Sequence, residues 1–361
     1  MAKKRSNNEG TIIKRGNKYR VQLTVGLSRI SKTFSTEAEA IAWKSEQLGA
    51  IQAGSYIPPQ KITLGEWCIQ CLETYIKPKV VTRTYDGYLT LLVYISALAN
   101  HPIQNIKPID IQHLINNMQS TRNPSRPISP TTKKKLRNLL HLIFNYALFD
   151  GIIKANPTFG VTTPKKEKLA PKVFSPEEIN KIKHCTDKTN KYYLATMIAL
   201  YTGMRSSEIL GLRWIDLDTR KRTLSVNQTV QHDSQSQLVI GPTKNNSSKR
   251  TISVSPALIN LIVLQKGNSS QYILATDTGL PVRYSSLKRW FINHLQSVGV
   301  TYQGIHTLRH THATMLVNAG VPITDISARL GHTNISTTLN IYTHANKDDQ
   351  YIAEKISKIV G

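Results

Sequence analysis

Acidic side chains are scarce in this chain. Asp and Glu number 22 of 361 residues against 47 Lys and Arg, giving a formal net charge of +25 at pH 7. An excess of that size points to a polyanionic partner, of which nucleic acid is the usual one. Residues 1–60, 61–163 and 164–361 each carry net positive charge, so the excess is not one basic tail on a neutral body. Cysteine is scarce too: Cys68, Cys71 and Cys185 are the only three, too few for a disulfide framework, which fits a reducing cytoplasm. No apolar run approaches the roughly 20 residues that cross a bilayer. The basic opening MAKKRSNNEG is followed by no apolar stretch, which speaks against a secretory signal. Aromatics make up only 7%, yet 40% hydrophobic and 19% charged residues suffice for packed cores in two or three domains. No repeat of fixed period is present.

What is there falls into three stretches. In the first, Tyr19, Val21, Leu23 and Val25 alternate with Arg20, Gln22 and Thr24, the period of a half-buried strand. Gly16-Asn17 marks a turn before it, and a second strand is predicted over Ile30–Phe34. Thr36 and Glu39 form a capping box that opens a helix with Ala38, Ile41, Ala42 and Leu48 on its apolar face. Gly54 and Pro58-Pro59 close the unit. Arg20, Gln22 and Thr24 can reach base edges or phosphates from an exposed sheet face, and an ordinary solvated face reads equally well.

The second stretch, Lys61 to Asn156, reads as all-helical. Thr63 and Glu66 make another capping box, and Leu64, Trp67, Cys68, Cys71, Leu72 and Tyr75 follow at helical spacing. Cys68-x-x-Cys71 has no second pair, so core packing is its better reading. Further helices fit Thr84–Leu98, Pro108–Met118 and Pro130–Phe149. The last begins with Lys133, Lys134 and Lys135, which oppose the helix dipole; an external anion can offset them, and a solvated face is the alternative. Asn156–Lys172 reads as an extended basic linker.

The third stretch opens with Ser175-Pro176-Glu177-Glu178, a strong helix start. Helices are predicted over 175–184, 191–201, 205–212, 256–266, 285–297, 306–319, 324–330 and 336–344, with strands near 223–230, 237–241 and 250–254. Arg205 and Glu208, within TGMRSSEILGL (202–212), stand one turn apart and can pair. Alone, such a pair is an ordinary salt bridge. His306 and Arg309, within HTLRHTHATML (306–316), share a helix face. Leu330-Gly331-His332 follows, with Tyr342 ten residues beyond the histidine. His306, His310 and His312 raise zinc as an option, but no Glu lies between the first two and no acidic or Cys ligand is near; His310 and His312 read as structural.

These segments, with PTKNNSSKRTI (242–252) between them, occur in the order of the tyrosine recombinase (phage integrase) family, which the third stretch resembles throughout. The first two stretches resemble the arm-binding and core-binding domains of integrases from temperate phages and conjugative transposons. The resemblance implies a multidomain, mainly α protein with small β-sheets (α+β). Residues 1–57 would be a three-stranded sheet plus helix that binds arm-type DNA. Residues 61–156 would be a helical, SAM-like core-binding domain, 157–172 a basic linker and 173–361 a mixed α/β catalytic domain.

Carried over, the catalytic arginines fall on Arg205 and Arg309, the histidines on His306 and His332, the hairpin lysine on Lys244 and the nucleophile on Tyr342, with Glu208 in support. Lys249 and Arg250 lie in the same hairpin, so the lysine assignment stays open between Lys244 and Lys249. The implied activity is cleavage and rejoining of DNA through a 3′-phosphotyrosyl link, without metal or other cofactor, integrating and excising a mobile element. The chemistry fits: two guanidiniums offer bidentate donors to phosphate oxygens, and a phenol ionising near pH 10 needs a base and a positive site. Implied DNA contacts are Lys14, Lys18, Arg20, Gln22, Thr24, Lys133–Lys135, Lys165 and Lys166. Implied partners are double-stranded DNA at core and arm attachment sites and three further copies in a homotetramer, with room for an excisionase or DNA-bending protein and no membrane. The setting would be the cytoplasm and nucleoid of a bacterial host. Residues 347–361, with Tyr351, Ile352, Ile356 and Ile359 at helical spacing, resemble a helix that packs on a neighbouring protomer. A non-catalytic DNA-binding regulator, a metal-dependent nuclease and a chromosome-dimer resolvase of the same family are the alternatives.

Overall fold

The computed structural model describes residues 10–25, 28–54, 56–58, 60–120, 123, 125, 127–165, 167, 172–233, 237–242, 249–266, 270–335 and 338–339. Lys166, Lys244, Tyr342 and the segment 347–361 lie outside the described residues. The architecture is mainly helical with small antiparallel sheets, as the sequence led one to expect. The chain divides into two compact units, Met1–Lys166 and Glu167–Gly361.

The first unit starts with strands β1 (Thr11–Arg15), β2 (Lys18–Val25) and β3 (Ser28–Phe34), antiparallel in the order β1-β2-β3. Helix α1 (Glu37–Gln52) covers one face, burying Val21 and Leu23 of β2 against Ala40. Thr36 and Glu39 cap it reciprocally, as their spacing predicts. The apolar stripe is rotated from expectation. Trp43 tilts against Phe34 with ring centroids 5.6 Å apart, and this contact sets the rotation. Ile41, predicted to be inside, is therefore exposed.

The rest of the unit is helical: α2 (Leu64–Cys71), α3 (Thr82–Leu92), α4 (Pro108–Asn116) and α5 (Pro130–Phe149). Its own cluster gathers Leu64, Trp67, Cys68 and Cys71 with Leu136, Leu139, Leu140, Ile143 and Phe144. Trp67 donates its indole N–H to the Ile143 carbonyl at 3.1 Å, satisfying the one polar atom it brings into the core. Burial pushes the Cys68 and Cys71 thiols up to about 12, so both behave as inert core residues. At the start of the stretch read as a linker, Asn156 and Thr158 are buried, the Asn156 amide bonding the His141 carbonyl and the Thr158 hydroxyl.

The second unit is built around α7 (Lys191–Thr202), whose residues Tyr193 to Leu200 are all buried. Before it comes α6 (Pro176–Lys183), with the Ser175 and Glu178 capping box in place. After it come the short α8 (Ser206–Leu210), a sheet ordered β4 (Leu217–Asp218), β5 (Thr223–Val226), β8 (Arg250–Ser253), and a hairpin of β6 (Gln228–His232) with β7 (Leu238–Pro242). The single strand predicted over 223–230 is two strands. Asn227 interrupts it by donating to Asp216 at 2.8 Å, and β5 and β6 then enter different sheets. Four helices complete the unit: α9 (Pro256–Val263), α10 (Tyr284–Ser297), α11 (His306–Asn318) and α12 (Ile323–Leu330). Of the helix predicted over 336–344, only residues 338 and 339 are described, and they are helical. No helix among the described residues is long and apolar enough to cross a membrane.

Candidate active site

The site is assembled at the ends of helices in the second unit. α7 stops at Gly203, whose φ of +67° is the left-handed conformation that glycine adopts without strain. The chain reverses and Arg205 becomes the N-cap of α8. Its backbone N–H donates to Glu208 Oε2 at 2.9 Å, and its Nη1 donates to Oε1 at 2.7 Å. Glu208 is almost wholly buried, whereas the Arg205 side chain is 36% exposed. One carboxylate thus fixes both ends of Arg205 and leaves part of its guanidinium open.

A second arginine completes the carboxylate. Arg250 of β8 donates its Nη2 to Glu208 Oε2 at 2.9 Å. Burial opposes ionisation of Glu208 most strongly, but the bonds from Arg250 and Arg205 together outweigh it and hold the carboxyl below its usual range. Sequence reasoning placed Arg250 in the right hairpin without assigning it a role. Its partner lies 42 residues away, and no local spacing signals that pairing.

α11 brings His306 and Arg309 to the same place. Arg309 is 3% exposed and donates Nη1 to the Gly203 carbonyl at 2.6 Å. Burial, then the nearby Arg205, push its pKa down to about 9, which still leaves it charged at neutral pH. His306 keeps more than a third of its surface exposed, yet desolvation within the cluster, then His310, Arg309 and Arg205, lower its pKa below the usual imidazole value. His332 follows α12 directly, past Gly331 at φ +65°. Its Nδ1 lies 2.7 Å from Thr338 Oγ1, and burial with Arg309, Arg205 and Arg250 pushes it down to about 4. Both imidazoles are therefore neutral at pH 7, beside a cluster of fixed positive charge with one buried carboxylate.

Five of the seven residues assigned from the sequence meet here: Arg205, Glu208, His306, Arg309 and His332. Lys244 and Tyr342 lie outside the described residues. His310 is half-buried and stands edge-on to His306 with centroids 4.8 Å apart, and His312 is buried and bonds the Leu200 carbonyl at 2.8 Å. Among the described residues no three His, Cys, Asp or Glu side chains gather as a metal-binding group.

The first unit sorts the remaining basic residues by strand alternation. Lys18, Arg20, Gln22 and Thr24 share the sheet face turned away from α1, with Arg15 opposite Lys18 and Arg29 opposite Thr24. Lys14 pairs with Tyr19, so it belongs to the other face, its Nζ 5.6 Å from the Tyr19 ring. In α5, Lys133 donates to the Asn116 carbonyl at the end of α4, while Lys134 and Lys135 are exposed, as is Lys165.

Residues 172–349 match the phage integrase family. A tyrosine recombinase XerC-like protein of Caldanaerobacter subterraneus subsp. tengcongensis is 31% identical over 366 residues, covering 90% of this chain and 92% of that protein. The chain belongs to the tyrosine recombinase (phage integrase) family. It is a site-specific DNA recombinase of the integrase type. Two solved structures share its fold: the Tn1549 transposon integrase with a circular intermediate DNA (TM-score 0.68, 20% identity, 82% of this chain and 99% of that one) and the lambda integrase tetramer on a Holliday junction (TM-score 0.61, 17% identity, 96% and 98%).

Proposed function

We propose that this recombinase cuts and reseals DNA with Tyr342 as the nucleophile and Arg205 and Arg309 as the clamp on the scissile phosphate. The observation that carries the reading is the pairing of two fixed guanidiniums with two neutral histidines around Glu208. In the forward step the Tyr342 hydroxyl oxygen bonds to phosphorus, and its proton goes to His306. The P–O bond to the 5′ carbon's oxygen breaks, and Lys244 supplies the proton that makes it a 5′-hydroxyl. The arginines neutralise charge on the non-bridging oxygens, and His332 hydrogen-bonds one of them. The phosphotyrosyl link retains the phosphodiester's energy, so a 5′-hydroxyl from the exchanged strand reverses the step without ATP.

The sheet face bearing Arg15, Lys18, Arg20, Gln22, Thr24 and Arg29 supports an arm-site contact by a separate N-terminal domain, 1–57, ahead of a core-binding domain at 61–156. Four copies would act on two duplexes, as the lambda integrase tetramer on a Holliday junction illustrates for that protein. The substrate is bacterial DNA in the cytoplasm, and the outcome is integration and excision of a mobile element.

The test is a nicked suicide substrate carrying the sequence at the element's ends. Wild-type protein should form a covalent protein–DNA adduct that EDTA does not suppress, and Tyr342→Phe should bind the same DNA without forming it. Adduct from the Phe variant would remove Tyr342 from its role; sensitivity to EDTA would favour a metal-dependent nuclease.

A further inference from the structure

The last three carbonyls around the end of α12 are not spare acceptors. That of Arg329 accepts from Arg250 Nε at 2.7 Å, that of Leu330 from Arg309 Nη2 at 2.7 Å, and that of Gly331 from Arg205 Nη2 at 3.4 Å. Three consecutive residues of one helix end thus each receive a different arginine. The end of a helix carries partial negative charge and unpaired carbonyls, so it suits cations, and here it meets the two proposed phosphate ligands and the arginine that shares Glu208 with one of them. The orientation of the clamp consequently depends on where α12 ends.

One side chain fixes that end. Arg329 turns back from the last turn of α12 and bonds three other elements. Its Nε donates to His312 Nε2 of α11 at 3.2 Å. Its Nη2 donates to the Tyr201 carbonyl in α7 at 3.2 Å, and both terminal nitrogens reach the Ser253 carbonyl of β8 at 3.3 Å. His312 is prepared for this: its Nδ1 lies 2.8 Å from the Leu200 carbonyl and must donate to it, which leaves Nε2 as the acceptor Arg329 needs. The two side chains lock α12 to α7, which ends at Gly203, and to the elements that bear Arg250 and Arg309.

We propose that Arg329, held by His312, is a positioning residue for strand cleavage: it anchors the end of α12 whose Arg329, Leu330 and Gly331 carbonyls aim the arginine clamp at the scissile phosphate. Neither side chain is required to touch DNA. This rests on the recombinase reading above and adds two residues to it.

Single-turnover adduct formation by the full chain on the suicide substrate tests the idea. Two versions of the substrate are needed, one with the natural phosphodiester and one with a methylphosphonate at the scissile position, which removes the charge the clamp meets. Arg329→Gln should slow cleavage of the phosphodiester about 10- to 100-fold, the scale on which misplacement by an ångström acts, with DNA affinity within about twofold of wild type. The penalty that wild type shows on the methylphosphonate should shrink in the variant, because a misaimed clamp has less to lose. Loss by the same factor on both substrates would show Arg329 to be structural only, and wild-type rates would remove it altogether. Should Arg329→Gln fail to fold, His312→Leu and His312→Gln carry the same test. Leu removes the acceptor and should slow the phosphodiester selectively, whereas Gln keeps an acceptor and should recover most of the rate; equal behaviour of the two overturns the proposal. If wild-type protein forms no adduct, the recombinase reading itself fails and this inference falls with it, a result distinct from every variant-specific one.

Discussion

Each arginine of the site does something a lysine cannot. Arg309 sends its two terminal nitrogens to two carbonyls, Gly203 and Leu330, and Arg205 spans Glu208 and Gly331. An ammonium retains the charge but not the planar fork. We expect Arg205→Lys and Arg309→Lys each to lower single-turnover cleavage at least about 100-fold with DNA binding nearly intact, the size of losing a preorganised donor to a charged transition state; a near-normal rate in either would take that residue out of the clamp.

The histidines predict a pH dependence with a definite sign. An unfolded imidazole takes up its proton at about pH 6.5, whereas burial and neighbouring arginines push His306, His312 and His332 down to about 4 in the folded chain and lower His310 as well. Between those values the unfolded state binds more protons, so stability is fully present above pH 6.5 and falls as the pH drops toward 4, with the buried His312 contributing a slope of up to about 1.4 kcal/mol per pH unit and the exposed His306 much less. His312→Gln removes one such proton: unfolding free energies of the variant, measured in urea from pH 7 to pH 5, should fall less steeply than those of the wild type. An unchanged slope would mean that His312 is not buried in its neutral form. At this scale Arg205, Glu208, Arg309, His306 and His332 were legible because each sits in a short ordered pattern. Arg329 was not, since its bonds reach Ser253 and Tyr201, 76 and 128 residues away, and no window of sequence joins them.

Among the elements, helix starts were the most legible feature. Thr36 with Glu39, Thr63 with Glu66 and Ser175 with Glu178 all form the reciprocal caps their spacing implies, because both partners lie within one turn. What tertiary contacts decide was not legible: the rotation of α1 set by Trp43 on Phe34, and the split of one strand at Asn227. The end of α7 depends on both local and distant contacts. Gly203 takes φ +67°, and a Cβ placed there would come within 2.6 Å of Leu330 and 2.7 Å of His312. Gly203→Ala therefore combines a left-handed non-glycine residue with overpacking against α12 and α11. We expect a loss of about 2–4 kcal/mol, read as a lower unfolding temperature in calorimetry of the full chain. A change below about 0.5 kcal/mol would show that the two helices yield easily.

At the scale of the whole molecule, the charge that first pointed to nucleic acid is spread along the whole chain. None of the residues assigned to cleavage from the sequence falls within 1–57, and the sheet face turned away from α1 carries Arg15, Lys18, Arg20 and Arg29 with no acidic residue among its described positions. Removing residues 1–57 should leave suicide-substrate cleavage intact, abolish the footprint on arm DNA and reduce recombination of full attachment sites, since bridging two sites raises effective concentration without touching the chemistry. Salt titration resolves which side chains are responsible. Each phosphate contact contributes about −0.9 to the slope of log K against log salt, so four basic residues on one face give about −3 to −4 for the arm site. Arg20→Ala should flatten that slope by about one unit. Lys14→Ala should leave it unchanged, because strand alternation puts Lys14 beside Tyr19 on the face that α1 covers. Equal flattening by the two substitutions would mean that the DNA lies along the sheet edge rather than across its open face, and wild-type recombination by the truncated chain would show that the sheet is not an arm-binding domain.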